Sequence, residues 1–495
     1  MAIETVPLPL PPSADSSKFT DFGREVKGIN PGTLSLEQFK EIEELLYKVR
    51  PIFHLDPVVR VSLRDRKQHG ALLFRDVVLS PEQQYALTKV STRAALVRYN
   101  WTPVMYSQNV AAADIEQRCF AGDKYIGSRC CVQRRFGALC GCLDARQAER
   151  AADFIAEFLP GIVPPFGAAF DPASESYGHG NNKTEGTTKS ILHPDLKTIP
   201  RVPQVQLIGN GTVYNHEGLA EAKLKHPSHT TFHKTRVSEE DEVRGITRFY
   251  RWHIDAALYD LSPPKVTTLY GIKVPQGPPQ IVRYDDGTGD ELPVPLGTTA
   301  FVSGKTMFDI LPPELKSLAV RSKVKYSPHP YVWMAPARAK STGLGIETEG
   351  LELPLAELPP WEASKQQVLP MLWKNPVTGD LHFEVHPCGA AELLVDPLPE
   401  GANREGALYP DGAHITDLGA VRALLYKMQR PAIAPPLVYP HDWRERDLVL
   451  FHNRGVLHTV VGAFKPDQVR AFHQCNLAAS SAPAGPDAAD VQKWA

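Results

Sequence analysis

The spacing of apolar residues near the N-terminus predicts an amphipathic helix over residues 36–46. Apolar side chains recur there every three or four positions, at Phe39, Ile42, Leu45 and Leu46. This spacing places them on one face of a helix, which can then pack against a core. Ser35 precedes the stretch and is a residue type that favours the N-cap position.

Further along the chain, short runs of β-branched and aromatic residues predict strands. Clear examples are 266–274 and 280–284, each bounded by proline or glycine. Many short strands between turns favour an all-β architecture with few helices. We therefore expect a mainly β fold with flanking helices (α+β), built on a double-stranded β-helix, or jelly roll.

Three stretches of unusual composition suggest where the domain is interrupted and where it ends. The stretches 353–361 and 431–440 are rich in proline, and we interpret them as long loops that bound an insertion covering the functional site. Residues 479–495 are dense in Ala, Ser, Pro and Asp, a composition typical of disorder. We expect a single domain over 1–478 and a disordered tail.

Composition and charge exclude several classes of function. The 495 residues carry a net charge of −2, which gives no reason to expect a nucleic acid as partner. No apolar run approaches the roughly 18 residues that a membrane span requires. The first twelve residues include Glu4 and four prolines and do not resemble a secretory signal. We expect a cytoplasmic protein.

Two segments interrupt the predicted elements. We interpret 49–68 and 90–168 as insertions or translated introns, because removing each one joins a helix-like or strand-like stretch to its continuation. A genuine lineage-specific insertion is the alternative. The second segment holds five of the seven cysteines, but their spacing is not that of a zinc site.

The candidate chemistry begins with the pattern His-x-Asp, which occurs three times in a chain with 17 histidines. His54 and Asp56 fall within the first suspected insertion. The second pair encloses Pro194, which disfavours the interior of a strand. His253 and Asp255 instead follow a run rich in aromatic strand formers, and residues two apart in a strand point to the same face.

A third ligand is expected from the stretch 447–458, which ends in His458. Two histidines and one carboxylate form a facial triad that leaves three positions of an octahedral Fe(II) open. The residues His253, Asp255 and His458 therefore form a candidate catalytic iron site.

The order of motifs resembles that of the TauD/TfdA group of Fe(II)- and 2-oxoglutarate-dependent dioxygenases. After His253 and Asp255 come Gly-x-Thr ending at Thr299, Asn-Arg-x-x-x-His ending at His458, and Arg470 twelve residues later. The resemblance implies Fe(II), O2 and 2-oxoglutarate as cosubstrate, with Thr299 and Arg470 holding its distal carboxylate. An arginine suits this role because it binds a carboxylate through two parallel hydrogen bonds.

Within that group the chain is most similar to the fungal xanthine dioxygenases. The stretches 177–183, 250–259 and 373–379 carry the resemblance, which implies hydroxylation of xanthine at C8 to give urate. It also implies the following substrate-binding residues: Gln204, Gln206, Lys225, Asp241, Glu242, Cys475 and Asn476.

Five of these residues also have a plain structural interpretation. The two glutamines alternate as in an ordinary half-exposed strand, the acidic pair lies in a run of four acids, and Cys475 is compatible with a small buried core residue. Two other functions stay open: a dioxygenase of the same group with a different small substrate (a sulfonate, an amino acid or a biosynthetic intermediate), and an inactive binding jelly roll.

Overall fold

The computed structural model describes residues 3–19, 22–46, 69–93, 197–225, 232–347, 350–465 and 467–495. All of them belong to one compact unit. The suspected insertions 49–68 and 90–168 lie outside the described residues, apart from 90–93, which close a helix. The stretch 177–183 also lies outside them.

The described residues form strands over most of their length. The strands are β1 (Glu4–Pro7), β2 (Arg24–Lys27), β3 (Ala71–Phe74), β4 (Lys197–Ile199), β5 (Val202–His216), β6 (Leu219–Leu224), β7 (Ile246–Thr247), β8 (Val266–Lys273), β9 (Gln280–Arg283), β10 (Glu291–Val294), β11 (Thr299–Ser303), β12 (Ser322–Tyr326), β13 (Val368–Pro370), β14 (Leu372–Lys374), β15 (Leu381–Phe383), β16 (Ala390–Val395), β17 (Ala413–Ile415), β18 (Tyr439–His441), β19 (Leu448–His452), β20 (Val456–Val460) and β21 (Arg470–Asn476).

Helices flank this β framework. They are α1 (Leu36–Leu46), α2 (Pro81–Arg93), α3 (Glu239–Val243), α4 (Gly304–Asp309), α5 (Pro313–Val320), α6 (Pro330–Trp333), α7 (Leu418–Gln429) and α8 (Ala488–Trp494). The expected mainly β fold with flanking helices is confirmed.

Two sheets face each other and define the jelly roll. The larger has the order β1-β2-β3-β19-β8-β21-β5-β4, with β6 paired to β5, and the smaller has the order β18-β11-β20. Their inner faces share one apolar cluster, to which Leu269 and Phe472 contribute from the large sheet and Phe301 and Val456 from the small one. The functional site lies between these two sheets, because its residues come from both.

Helix α1 covers the outer face of the large sheet. It spans the predicted residues, and Ser35 caps it: its hydroxyl accepts from the Gln38 N–H at 3.2 Å, while Gln38 Oε1 accepts from the Ser35 N–H at 2.9 Å. Phe39, Ile42 and Leu46 pack with residues of β3 and β19. The hydrophobic pattern thus predicted both the helix and its buried face.

The segment between the two proline-rich stretches contains regular structure. Its strands β13, β16 and β17 extend β12 into a four-stranded sheet. The first stretch, 353–361, is irregular except for one 3-10 turn at Leu355–Glu357. The second is only partly a loop, because β18 begins at Tyr439 and pairs with β11. As an edge strand, β18 tolerates Pro440.

The C-terminal tail differs from the disorder expected for 479–495. Helix α8 begins with a reciprocal capping arrangement between Asp487 and Asp490. Both carboxylates accept a hydrogen bond from Lys374 Nζ at 2.7 Å, and the ring of Trp494 meets that of Phe308 edge-on at 5.3 Å. Composition did not reveal these caps and contacts.

Within the described residues, no helix has the length and apolar character needed to cross a membrane.

Candidate metal centre and cosubstrate site

The two predicted histidine ligands lie directly opposite each other on paired backbone. The His253 N–H donates to the His458 carbonyl at 3.0 Å, and the His458 N–H donates to the His253 carbonyl at 2.9 Å. Such a pair of reciprocal bonds aligns the two residues across antiparallel chains. Their imidazole rings consequently lie 4.2 Å apart, centroid to centroid.

Asp255 completes the triad. Its Oδ1 lies 3.7 Å from His253 Nε2 and 3.6 Å from His458 Nε2. All three potential ligand atoms fall within 4.8 Å of one another, and among the described residues no other such group of histidine, cysteine or acidic side chains occurs. One cation can therefore contact all three side chains.

Asn453 explains part of the Asn-Arg-x-x-x-His motif. Its Oδ1 accepts from the Asp255 N–H at 2.8 Å, and its Nδ2 donates to the Asp255 carbonyl at 2.8 Å. Asn453 lies in the turn between β19 and β20, five residues before His458. The turn that leads to His458 thus holds the backbone of Asp255.

Two residues that the sequence did not indicate orient the carboxylate of Asp255. Thr267 Oγ1 donates to Asp255 Oδ2 at 2.7 Å. Gln474 Nε2 approaches both carboxylate oxygens at 3.3 Å. The shorter bond, from Thr267, fixes Oδ2, while Oδ1 is the oxygen that lies nearest both histidines. Outer hydrogen bonds commonly orient a metal ligand in this way.

The histidines are held in the neutral form that binds metals. Burial lowers the pKa of His253, and burial together with the neighbouring His253 lowers the pKa of His458 to about 3. His253 Nδ1 lies 2.8 Å from the Arg251 carbonyl. Because a carbonyl only accepts, Nδ1 carries the hydrogen and the lone pair lies on Nε2, which faces Asp255.

This donor set fits Fe(II). Two neutral imidazoles and one carboxylate, approaching from one side, match the facial triad of non-haem iron enzymes. The side chain of His253 is 23% accessible, although burial lowers its pKa. Part of the His253 ring is therefore not covered by protein atoms.

Arg470 and Thr299, the residues predicted to hold the cosubstrate, hydrogen-bond each other; we call this pair, with Gly297, the candidate cosubstrate anchor. Arg470 donates from Nε to the Gly297 carbonyl at 2.9 Å and from Nη2 to Thr299 Oγ1 at 3.1 Å. Gly297 has φ +75°, a conformation that favours glycine. The Gly-x-Thr spacing thus provides two acceptors, two residues apart, for one guanidinium.

The buried charge of Arg470 suits an anionic ligand. The residue is 3% exposed, and burial alone lowers its pKa to about 9, with no carboxylate of the described residues opposing the shift. Arginine retains its charge under these conditions, and a buried cation without a counterion is costly. The site therefore fits the distal carboxylate of 2-oxoglutarate.

Trp443 is a further member of this anchor that the sequence did not indicate. Its Nε1 donates to Thr299 Oγ1 at 3.1 Å. Since the same oxygen accepts from Arg470, the hydroxyl hydrogen of Thr299 remains available for a third partner. That hydrogen is suited to donate to a bound carboxylate.

Three of the predicted substrate residues lie on the face of the large sheet from which Gln474 contacts Asp255. Gln206 is directly opposite Gln474, which contacts Asp255. By strand alternation, Gln204 and Asn476 share this face. All three predicted residues are buried, and Asn476 Oδ1 has no hydrogen-bond partner. They form a row of amides beside the metal ligands, which we call the amide row: Gln204, Gln206, Gln474 and Asn476.

Cys475 lies on the opposite face. Its side chain packs in an apolar cluster with Val205 and Leu477, because neighbouring residues of a strand point to opposite sides. The structure thus does not bring this side chain to the triad. The position of Cys475 fits its interpretation as a small buried core residue.

The remaining three predicted residues lie nearer the surface. Lys225 is exposed at the end of β6. Asp241 and Glu242 are half-buried on α3, and the Asp241 carboxylate accepts from Arg283 at 2.7 Å. This hydrogen bond lowers the pKa of Asp241. Their role in substrate binding remains a prediction.

Comparison with known proteins agrees with this geometry. The family model described as "Taurine catabolism dioxygenase TauD, TfdA family" matches residues 204–476. The alpha-ketoglutarate-dependent xanthine dioxygenase xan1 of Schizosaccharomyces pombe is 55% identical over 323 residues, which cover 65% of this chain and 75% of that protein.

Two further relatives carry the same description. The protein xanA of Emericella nidulans is 56% identical over 63% of this chain and 79% of its own length. The protein xan-1 of Neurospora crassa is 54% identical over 64% of this chain and 73% of its own length. With its triad, its arginine anchor and these matches, the chain belongs to the TauD/TfdA family of Fe(II)- and 2-oxoglutarate-dependent dioxygenases.

Proposed function

We propose that the protein hydroxylates xanthine at C8 in the cytoplasm and releases urate, succinate and CO2. The single observation that carries this proposal is the buried amide row beside Asp255, with the unpartnered Oδ1 of Asn476. Xanthine presents carbonyl acceptors and ring N–H donors, and amide side chains complement both. The names of the relatives at 54–56% identity support the same substrate.

The reaction balances without any other reductant. Dioxygen accepts four electrons in total, two from the oxidative decarboxylation of 2-oxoglutarate and two from the C8–H bond of xanthine. One oxygen atom enters succinate and the other enters urate. Bound Fe(II) supplies the activation of O2 that protein side chains cannot provide.

The side chains of this protein bind the metal and the cosubstrate. His253, Asp255 and His458 hold the metal from one side and leave the other side open. Arg470 and Thr299 fix the far carboxylate of 2-oxoglutarate, and so set the orientation of its reactive end. Positioning reactants in this way removes much of the entropic part of the barrier.

The amide row would hold xanthine with C8 toward the metal. Because Gln474 contacts the Asp255 carboxylate, a substrate on this row lies next to a metal ligand. The two sheets exclude water around it, which protects the reaction from side processes.

A substrate panel tests the proposal. The protein is loaded with Fe(II) and 2-oxoglutarate in air and given xanthine, hypoxanthine, taurine or an amino acid, and succinate release is measured. We expect xanthine alone to accelerate succinate release strongly, and His253→Ala to abolish the effect. Acceleration by taurine or an amino acid, with none by xanthine, would assign a different substrate. No acceleration by any compound would favour a binding protein.

A further inference from the structure

A second group of polar side chains lies next to His253, outside the triad and the cosubstrate anchor. His386 comes from the segment between the two proline-rich stretches, and its ring lies 6.0 Å from that of His253. It is fully buried. Neither of its ring nitrogens has a hydrogen-bond partner.

Arg251 lies two residues before His253. Its guanidinium is 5.2 Å from the ring of Phe232 and 5.8 Å from the ring of Tyr331, contacts that hold a cation in place. Its Nε is buried without a hydrogen-bond partner. Its side chain hydrogen-bonds the buried Cys388, and among the described residues no carboxylate forms an ion pair with it.

Tyr331 connects the two groups. Its ring meets the ring of His386 edge-on at 5.6 Å and 87°, while its face is near the guanidinium of Arg251. One wall next to His253 thus carries a cation, an imidazole with two free nitrogens, and an aromatic ring. Buried polar atoms without partners are costly, so this wall is suited to bind a polar ligand.

The wall differs from the cosubstrate anchor. Arg470 contacts Gly297 and Thr299 from β21, whereas Arg251 contacts Phe232 and Tyr331 from the segment before His253. Each arginine therefore has its own surroundings, and neither forms an ion pair with a carboxylate of the described residues.

We propose that Arg251 and His386 anchor the substrate at the end away from the amide row. Arg251 would donate to a carbonyl oxygen or an anionic ring nitrogen of a planar heterocycle, and His386 would hydrogen-bond a ring N–H or nitrogen. The inference rests on the proposed function, because it assigns specificity residues for the same substrate. The two residues orient the substrate and take no part in the transfer of oxygen.

The test separates substrate binding from metal and cosubstrate binding. Arg251→Met removes the charge, Arg251→Lys keeps it with fewer donors, and His386→Phe keeps an aromatic ring without nitrogens. Arg404→Met, at an exposed arginine, is the matched control. Binding is measured without O2, using the visible absorption of the Fe(II)–2-oxoglutarate complex and its change when xanthine is added.

We expect Arg251→Met and His386→Phe to weaken xanthine binding and to raise its KM by about tenfold or more, as expected for lost hydrogen bonds to a buried ligand. Arg251→Lys should fall between the parent and Arg251→Met. Fe(II) stoichiometry and 2-oxoglutarate affinity should match those of the parent and of Arg404→Met.

Two results would overturn the inference. The first is xanthine affinity within twofold of the parent in both Arg251→Met and His386→Phe. The second is loss of Fe(II) binding in all three variants, which would make both residues structural. Failure of the parent to bind xanthine would instead reject the proposed function, so the two failures are distinguishable.

Discussion

His253 and His458 exchange two backbone hydrogen bonds, of 3.0 and 2.9 Å, and their rings lie 4.2 Å apart. The spacing of two metal ligands is therefore set by the pairing of two extended segments, without any contribution from the metal. Such a site is organised in advance, so binding a metal requires little rearrangement of the backbone. The third ligand, Asp255, depends on side-chain hydrogen bonds for its orientation.

The first prediction concerns that orientation. Thr267→Val removes the hydroxyl that donates to Asp255 Oδ2 at 2.7 Å and keeps a side chain of similar size. Loss of such an outer hydrogen bond typically weakens metal binding about 10- to 100-fold. We expect this loss in titrations with Fe(II) or Mn(II), whereas Thr267→Ser should bind like the parent. Unchanged affinity in Thr267→Val would show that the hydroxyl does not position Asp255.

The sequence predicted that His253 and Asp255, two of the three candidate metal ligands, lie together because their spacing is local. His253 and Asp255 share a face because side chains two residues apart in an extended chain point the same way. Gly297 and Thr299 are also two residues apart, and both accept hydrogen bonds from Arg470. Thr267, Gln474 and Trp443 were not predicted. Their contacts depend on which strands become neighbours, and a single sequence does not contain that information.

The same limit applies to the substrate residues and to the tail. Alternation puts Asn476 on the site face and Cys475 on the other, but the sequence alone does not show which face meets the metal. Helix α8 was missed because the caps at Asp487 and Asp490 and the docking of Trp494 on Phe308 are not visible in a composition typical of disorder.

The second prediction concerns the cosubstrate anchor. Trp443→Phe removes the indole N–H that donates to Thr299 Oγ1 at 3.1 Å. One such hydrogen bond contributes about 0.5–1.5 kcal/mol, or roughly 2- to 13-fold in affinity. We expect the KM for 2-oxoglutarate to rise within this range while Fe(II) binding stays constant. Arg470→Lys should have a larger effect, because it loses the two-pronged geometry.

A suitable control is Trp361→Phe, since Trp361 is 37% exposed. If Trp443→Phe and Trp361→Phe give the same KM as the parent, Trp443 does not support the anchor.

The third prediction concerns a buried acid that the proposed reaction does not use. Glu384 is fully buried, neither of its carboxylate oxygens has a hydrogen-bond partner, and burial raises its pKa well above 4.5. The folded protein therefore keeps this proton at pH values where the unfolded chain has released it. Its contribution to stability is fully present below about pH 4.5 and falls as the pH rises toward the folded pKa.

Glu384→Gln should therefore be more stable than the parent at pH 8, and the difference in Tm should shrink toward pH 5. The exposed Glu405→Gln is the matched control and should show no such trend. A pH-independent difference, or a parent that is more stable at pH 8, would contradict a protonated Glu384.

The fourth prediction concerns the suspected insertion 49–68. The His69 N–H donates to the Leu45 carbonyl at 3.2 Å, so the described residues on either side of this segment are already in contact. We propose that the fold does not require it. A chain lacking 49–68 should bind Fe(II) with the parent's affinity and unfold within a few degrees of it, since shorter loops cost less to close. Loss of Fe(II) binding or of cooperative unfolding would show that the segment is an integral part of the fold.

The most direct test of xanthine hydroxylation uses ¹⁸O2. The protein is supplied with Fe(II), 2-oxoglutarate and xanthine under labelled oxygen, and urate and succinate are quantified by mass spectrometry. We predict equal amounts of the two products with one ¹⁸O atom in each, and neither product in appreciable amount from His253→Ala. Succinate without urate, or urate whose new oxygen comes from water, would contradict the assignment.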